Sequence, residues 1–231
     1  MNTSKTIIAE LLWQTGVGPL LRVLREPKRL AVCYHSIADS GQHDHIRIAI
    51  KDFTRHIEYL AARGYRFVKF SELMSAQDRV AAIYFDDGFR DMFANAKPIL
   101  EQKNIPATLF VTTSYADGLH DSAVYASWDE IAMLGKNWEI GSHSVSHRKL
   151  NKISKEEVYQ EMTESKKIIE AKTGRVVTAF SYPHGRASTE TEATARDVGY
   201  IMTTGDQHFH KVRPDPDDSL AVFYWKTLKL W

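Results

Sequence analysis

The stretch Val80-Ala81-Ala82-Ile83-Tyr84-Phe85-Asp86-Asp87-Gly88-Phe89-Arg90 constrains this chain more than any other. An apolar run of strand length stops abruptly at two carboxylates and a glycine, the pattern of a buried strand that delivers acid groups to a sheet edge. In α/β barrels and open α/β sheets the carboxyl ends of strands carry the chemistry, so both aspartates fall where catalytic groups are mounted. Alternation along a strand points Asp86 and Asp87 in different directions unless the turn at Gly88 has already begun, and two neighbours then serve two roles. The plainer reading makes Asp-Asp-Gly a turn, with Asp87 capping a helix that begins at Phe89.

A chain of 231 residues can bury a full core within one α/β domain. Its 30 Lys and Arg nearly balance 29 Asp and Glu, without a basic stripe, which argues against nucleic acid as a partner. Cys33 is the only cysteine. It lies in an apolar strand and reads as a buried structural thiol rather than a nucleophile. No stretch approaches the ~20 apolar residues of a bilayer span, and the first residues lack the apolar core and cleavage site of a signal peptide. The expectation is a cytoplasmic protein. Residues 1–29 read as a helical segment, and over 6–29 apolar Ile7, Leu11, Leu20 and Leu24 accompany basic Arg22, Arg25 and Lys28. Such a segment covers a domain end or lies on the inner membrane surface.

From residue 30 to 231 the pattern is one domain of alternating strands and helices. Leu30 to His35 is a strand, 51–63 an amphipathic helix stopped by Gly64, and Arg66-Phe67-Val68 a short strand. A helix spans Phe89 to Lys103, bent or interrupted at Pro98. Strands follow at Ala107–Val111, Trp138–Ser142, Thr178–Tyr182 and Tyr200–Thr204. Ser127 caps one helix, and Ser154-Lys155-Glu156-Glu157 opens a long charged one ending at Gly174. The tail after Gly205 is polar as far as Leu220-Ala221-Val222-Phe223, and a final strand is only weakly signalled. About seven βα units imply a parallel sheet closed into a distorted (β/α)7 barrel.

Four strand ends carry polar groups: His35, Asp86 with Asp87, His143 with His147, and the turn Pro183-His184-Gly185. In a barrel such ends converge on one rim. His143 and His147 are four apart, a spacing that in a helical turn puts both imidazoles on one face, within reach of one ion. Two histidines and one carboxylate with open positions form a catalytic rather than structural metal set.

Tyr84-Phe85-Asp86-Asp87-Gly88 resembles the Thr-Phe-Asp-Asp-Gly motif of the polysaccharide deacetylases, carbohydrate esterase family 4. His143-Ser144-Val145-Ser146-His147 is similar to that family's His-[Ser/Thr]-x-x-His motif. Phe180-Ser181-Tyr182-Pro183-His184-Gly185 resembles its Arg-x-Pro-Tyr-Gly motif. Cys33-Tyr34-His35 resembles the Tyr-His element of the circularly permuted members that act on poly-N-acetylglucosamine. The resemblance implies a metal-dependent N-deacetylase acting on an N-acetylated sugar or a lipid-linked glycan precursor. In it Asp86 is the general base, Asp87, His143 and His147 hold a divalent ion, expected to be Zn²⁺, and the His184 backbone N–H, between Pro183 and Gly185 and after Tyr182, meets the oxyanion. His35 takes the role of general acid, in preference to the tail histidines His208 and His210.

Ser181 stands where the motif has an arginine, so either a different cation takes over, with Arg90 or Arg213 as candidates, or Asp86 is less well tuned as a base. The family's later acid and tryptophan have no clear counterpart, although Trp128, Trp225 or Tyr182 offers a ring for a sugar. Two rivals share the sequence pattern: a sugar deformylase or other amide hydrolase with the same site, and a glycan-binding barrel without turnover.

Overall fold

The computed structural model describes residues 26–40 and 45–228, together with Ile7, Leu11, Gln14 and Thr15. The expected helical segment over 1–29 therefore lies mostly outside the described residues. Among those described, the strands are β1 (Arg29–Tyr34), β2 (Ser36–Ile37), β3 (Arg47–Ile48), β4 (Arg66–Val68), β5 (Val80–Phe85), β6 (Ala107–Val111), β7 (Trp138–Ser142), β8 (Ala179–Phe180), β9 (Met202–Thr203) and β10 (His210–Val212).

The main sheet runs β10-β1-β5-β6-β7-β8-β9, all parallel. β4 pairs with the first half of β5, and β6 takes over from Ile83 onward. This is a distorted (β/α)7 barrel. No ladder joins β9 to β10 among the described residues, and the Lys211 ammonium spans that seam by donating to the Thr204 carbonyl.

All six residues of β5 are buried, as expected of a strand covered on both faces. Ala81, Ile83 and Phe85 join the outer core beneath the helices, while Val80, Ala82 and Tyr84 face the barrel interior with Ala31, Cys33, Phe110 and Met202. Phe70 plugs that interior, packing edge-on against Tyr84, Phe110 and Phe209. Gly141 makes room for this layer: a Cβ there would lie 2.5 Å from the Phe110 ring. The same alternation carries Cys33, Asp86 and His143 to the inner face of their strands.

Among the described residues, the helices with defined bounds are α1 (Ile50–Ala62), α2 (Arg90–Gln102), α3 (Thr113–Ala116), α4 (Trp128–Ala132), α5 (Lys155–Thr173), α6 (Thr189–Asp197) and α7 (Leu220–Thr227). Ser127 and Ser154 close capping boxes with Glu130 and Glu157, and Gly174 ends α5 in the left-handed region at φ 67°.

Three expectations are corrected. Helix α2 runs unbroken through Pro98. Pro98 and Ala94, whose carbonyl loses its helical partner, are both exposed, so the freed carbonyl is open to solvent rather than buried unpaired. Asp87 caps nothing, because the N-cap of α2 is Phe89, without a side-chain hydrogen bond. Residues 220–223 open a helix, and the last strand is the short β10, whose three-residue signal is too brief to stand out from a polar tail.

Candidate active site

At the carboxyl ends of β1, β5, β7 and β8 lies a cavity of about 560 Å³, and His35, Asp86, Asp87, His143, His147 and His184 all line it. Each strand end named from the sequence reaches this rim. β5 ends at Phe85, yet Asp86 N–H still donates to the Tyr34 carbonyl at 3.0 Å, which keeps Asp86 in the inward register. Asp87 would point outward in an extended chain. Its φ of 72° and that of Gly88, 91°, turn the backbone instead, and both carboxylates face one cavity.

The two histidines arrive by another route than a helix. Residues 143–147 form an irregular bend in which Ser144 and His147 have φ 71° and 57°. The four-residue spacing therefore works through a tight turn, correcting the helical rationale. Glu161 of α5 braces this turn: its Oε2 accepts from the Val145 and Ser146 N–H groups at 2.8 and 2.9 Å, and its Oε1 accepts from the Ser146 hydroxyl. The Ser144 hydroxyl accepts from His147 N–H at 3.0 Å. His143 Nδ1 lies 2.8 Å from the Ser181 carbonyl, which can only accept. That bond puts the proton on Nδ1 and leaves the Nε2 lone pair facing the cavity.

Asp87 Oδ1 is 3.5 Å from His143 Nε2 and 3.2 Å from His147 Nε2. The donor atoms of Asp87, His143 and His147 all lie within 4.8 Å of one another, close enough to share an ion. Asp87 Oδ1 and Asp86 Oδ1 are both buried without a hydrogen-bond partner. A buried carboxylate oxygen facing two imidazole nitrogens lacks the partner that a divalent cation supplies. The donor set fits a catalytic centre, with three protein ligands and room for a fourth.

Burial governs the electrostatics. It pushes Asp87 up to about 6, against the pull of His143 and with the push of Asp86. Asp86 rises to about 7 through burial, opposed by the Ser181 hydroxyl, the Cys33 thiol and Arg213. Burial also lowers His147 to about 3, with His143 and His184 adding to the effect, and it lowers His143. His35 is held well below the usual imidazole value, again mainly by burial. All five groups lean towards their neutral forms, and a bound cation reverses that preference in the carboxylate it touches.

The polysaccharide deacetylase family model matches residues 74–203, more than half of the chain, and spans the aspartate pair, both histidines and the Pro-His-Gly turn. The chain belongs to the polysaccharide deacetylase family. YxkH of Bacillus subtilis strain 168, a protein named for the same family, is 30% identical over 225 residues, covering 88% of this chain and 78% of that protein. The Streptococcus pyogenes deacetylase PplD, solved with acetate, superposes with a TM-score of 0.74 at 20% identity, covering 89% of this chain and 99% of that one. IcaB from Ammonifex degensii gives 0.70 at 21%, covering 86% and 97%. At these identities the two structures show the fold.

This family member surrounds Asp86 differently from the motif's arginine pattern. Ser181 is buried beside it, and Arg213 lines the same cavity. Arg90 instead pairs with Glu130 at 2.8 Å and does not line the cavity. His208 is engaged by Asp206, and His210 Nε2 lies 2.6 Å from the Lys226 carbonyl; neither lines the cavity.

Tyr182 lines the wall, but its ring is buried and its hydroxyl donates to the Thr191 carbonyl, so it shapes the turn rather than offering a face to a sugar. Trp225 packs with Tyr224 and Leu228, and Trp128 Nε1 donates to Asp117. Two participants went unseen in the sequence. Glu161 sits in a charged helix with nothing to mark it, and Cys33, correctly placed as buried, touches Asp86 with its Sγ 3.4 Å from Oδ2. Only the inward parity of β1 hinted at the latter.

Proposed function

We propose that this chain is a metal-dependent N-deacetylase that removes acetyl from an N-acetylated sugar or glycan precursor. One observation carries the reading: Asp87 Oδ1, His143 Nε2 and His147 Nε2 converge while a second buried carboxylate, Asp86, stays outside the cluster with Oδ1 unpartnered. A divalent cation held by Asp87, His143 and His147, for which we assign Zn²⁺, supplies Lewis acidity to water and to the acetyl carbonyl.

Asp86 then takes the proton of the water that attacks the acetyl carbon, a task suited to a carboxylate raised towards neutral pH. The His184 N–H, at the mouth of the cavity, donates to the oxyanion. As the carbon–nitrogen bond breaks, His35 gives a proton to the departing amine and acetate is released. Burial holds the resting His35 ring neutral, so the proton it delivers is the one Asp86 took from water, passed between two groups whose donor atoms lie within 4.8 Å of each other. The circularly permuted subtype is part of the same reading, supported by the position of β1, the first strand of the sheet in sequence, between β10 and β5. Residues 6–29 are proposed as a contact with the inner membrane surface that serves lipid-linked substrate; Ile7 and Leu11, both 55% exposed, support it.

The test is metal analysis combined with acetate release from N-acetylglucosamine oligomers and lipid-linked N-acetyl sugars, with Asp86→Asn as control. Release of acetate by the parent, with metal retained and turnover lost in the variant, is expected. Formate release alone moves the reading to a deformylase. Bound metal with no hydrolysis of any N-acetyl sugar leaves a binding barrel, which Ser181 in place of the arginine would then explain.

A further inference from the structure

Beside the Asp87 cluster the cavity holds a second convergence of metal-ligating atoms, built from β1 and the end of β5. Cys33 Sγ lies 3.4 Å from Asp86 Oδ2 and 3.9 Å from His35 Nδ1, and the three donor atoms are all within 4.8 Å of one another. A tetrahedral zinc site with metal–sulfur and metal–nitrogen distances near 2.3 and 2.05 Å places those ligand atoms about 3.5 Å apart. The Sγ–Oδ2 and Sγ–Nδ1 spacings match this to within a few tenths of an ångström. Cys33 and Asp86 are 7% exposed, and both line the cavity, which leaves a fourth position open to solvent or substrate.

We propose that Cys33, His35 and Asp86 form a second, thiolate-containing site for a soft divalent cation such as Zn²⁺ or Cd²⁺, distinct from the Asp87-His143-His147 site. Binding releases the Cys33 thiol proton to solvent and replaces the Sγ–H···Oδ2 hydrogen bond with two ligand bonds to the ion. The thiolate selects soft ions over Mg²⁺, Ca²⁺ or Mn²⁺. Arg213 lines the same cavity, and its charge together with the first ion opposes a second cation, so this site fills after the first. Its consequence rests on the proposed function: the second ion occupies Asp86 and His35, the base and the acid, and excess Zn²⁺ stops turnover.

The experiment is titration of the metal-stripped 231-residue chain with Cd²⁺ under argon, following calorimetric stoichiometry and the ultraviolet thiolate-to-Cd²⁺ charge-transfer band. Two equivalents are expected, with the band arriving at the second. Cys33→Ser should keep the first equivalent, lose the band and weaken the second by at least ~10-fold, since a soft ligand is replaced by a hydroxyl. His35→Gln should weaken the second equivalent in the same way while retaining the thiol. His147→Ala should weaken the first equivalent and keep the band. A single equivalent in the parent, or two without thiolate absorption, overturns the proposal, and so does a second equivalent untouched by both Cys33→Ser and His35→Gln. A thiolate-bound second ion that leaves acetate release unchanged confirms the site and removes Asp86 and His35 from their catalytic roles.

Discussion

Asp86→Asn should make the metal-free protein more stable while ending its chemistry. Asparagine fills the same space without the charge that burial penalises. The Asp86 carboxyl is raised from 3.8 to about 7, a shift of about three units, or about 4 kcal/mol once the group is fully ionised. A carboxyl whose folded value is raised binds its proton more tightly in the folded state. Stability is therefore fully present below about pH 4 and is lost as pH rises towards and through 7.

The variant lacks this loss. In chelator at pH 8, urea unfolding should show it more stable than the parent by about 2–4 kcal/mol, allowing for relaxation around the carboxylate. The advantage should shrink between pH 7 and pH 4 and vanish below that. Added cation should narrow it, since a neighbouring positive charge stabilises the ionised parent. Turnover should fall by roughly 10²-fold or more, with the ion at Asp87, His143 and His147 retained. An Asp86→Asn protein no more stable than the parent at pH 8, or more stable by the same amount at pH 4, would refute the claim that burial of this carboxylate dominates its energetics.

Glu161→Ala should loosen the turn that carries His147, weakening metal affinity by about 10–100-fold in a competition titration, with stability reduced by about 1–2 kcal/mol. Gly141→Ala forces a methyl to 2.5 Å from the Phe110 ring and should lower stability by about 1–3 kcal/mol in urea unfolding, with a slowed reaction because His143 lies two residues on. The pH profile of kcat/KM should climb as Asp86 ionises and level off at or below about pH 7, the bound cation pulling it down from its metal-free value. A profile with no fall on its acid side at any pH where the protein stays folded would remove Asp86 as the base.

The apolar run Val80–Phe85 stopping at Asp86-Asp87 sufficed to place a buried strand and its acid-bearing end, because burial on both faces leaves a continuous apolar stretch that composition alone reveals. The alternation of strands and helices, the capping serines at 127 and 154, and the four polar strand ends were legible for the same reason: each is a local pattern with a local cause. What the sequence could not decide is direction. Asp87 faces its neighbour's cavity only because the backbone turns left-handed there, and His147 reaches it through a turn braced by Glu161 from a distant helix. Cys33 touches Asp86 because β1 and β5 are adjacent and in register, Cys33 opposite Tyr84. Such contacts follow from strand pairing and backbone turns, in which residues far apart in the chain share one small volume, and only the tertiary structure brings them together.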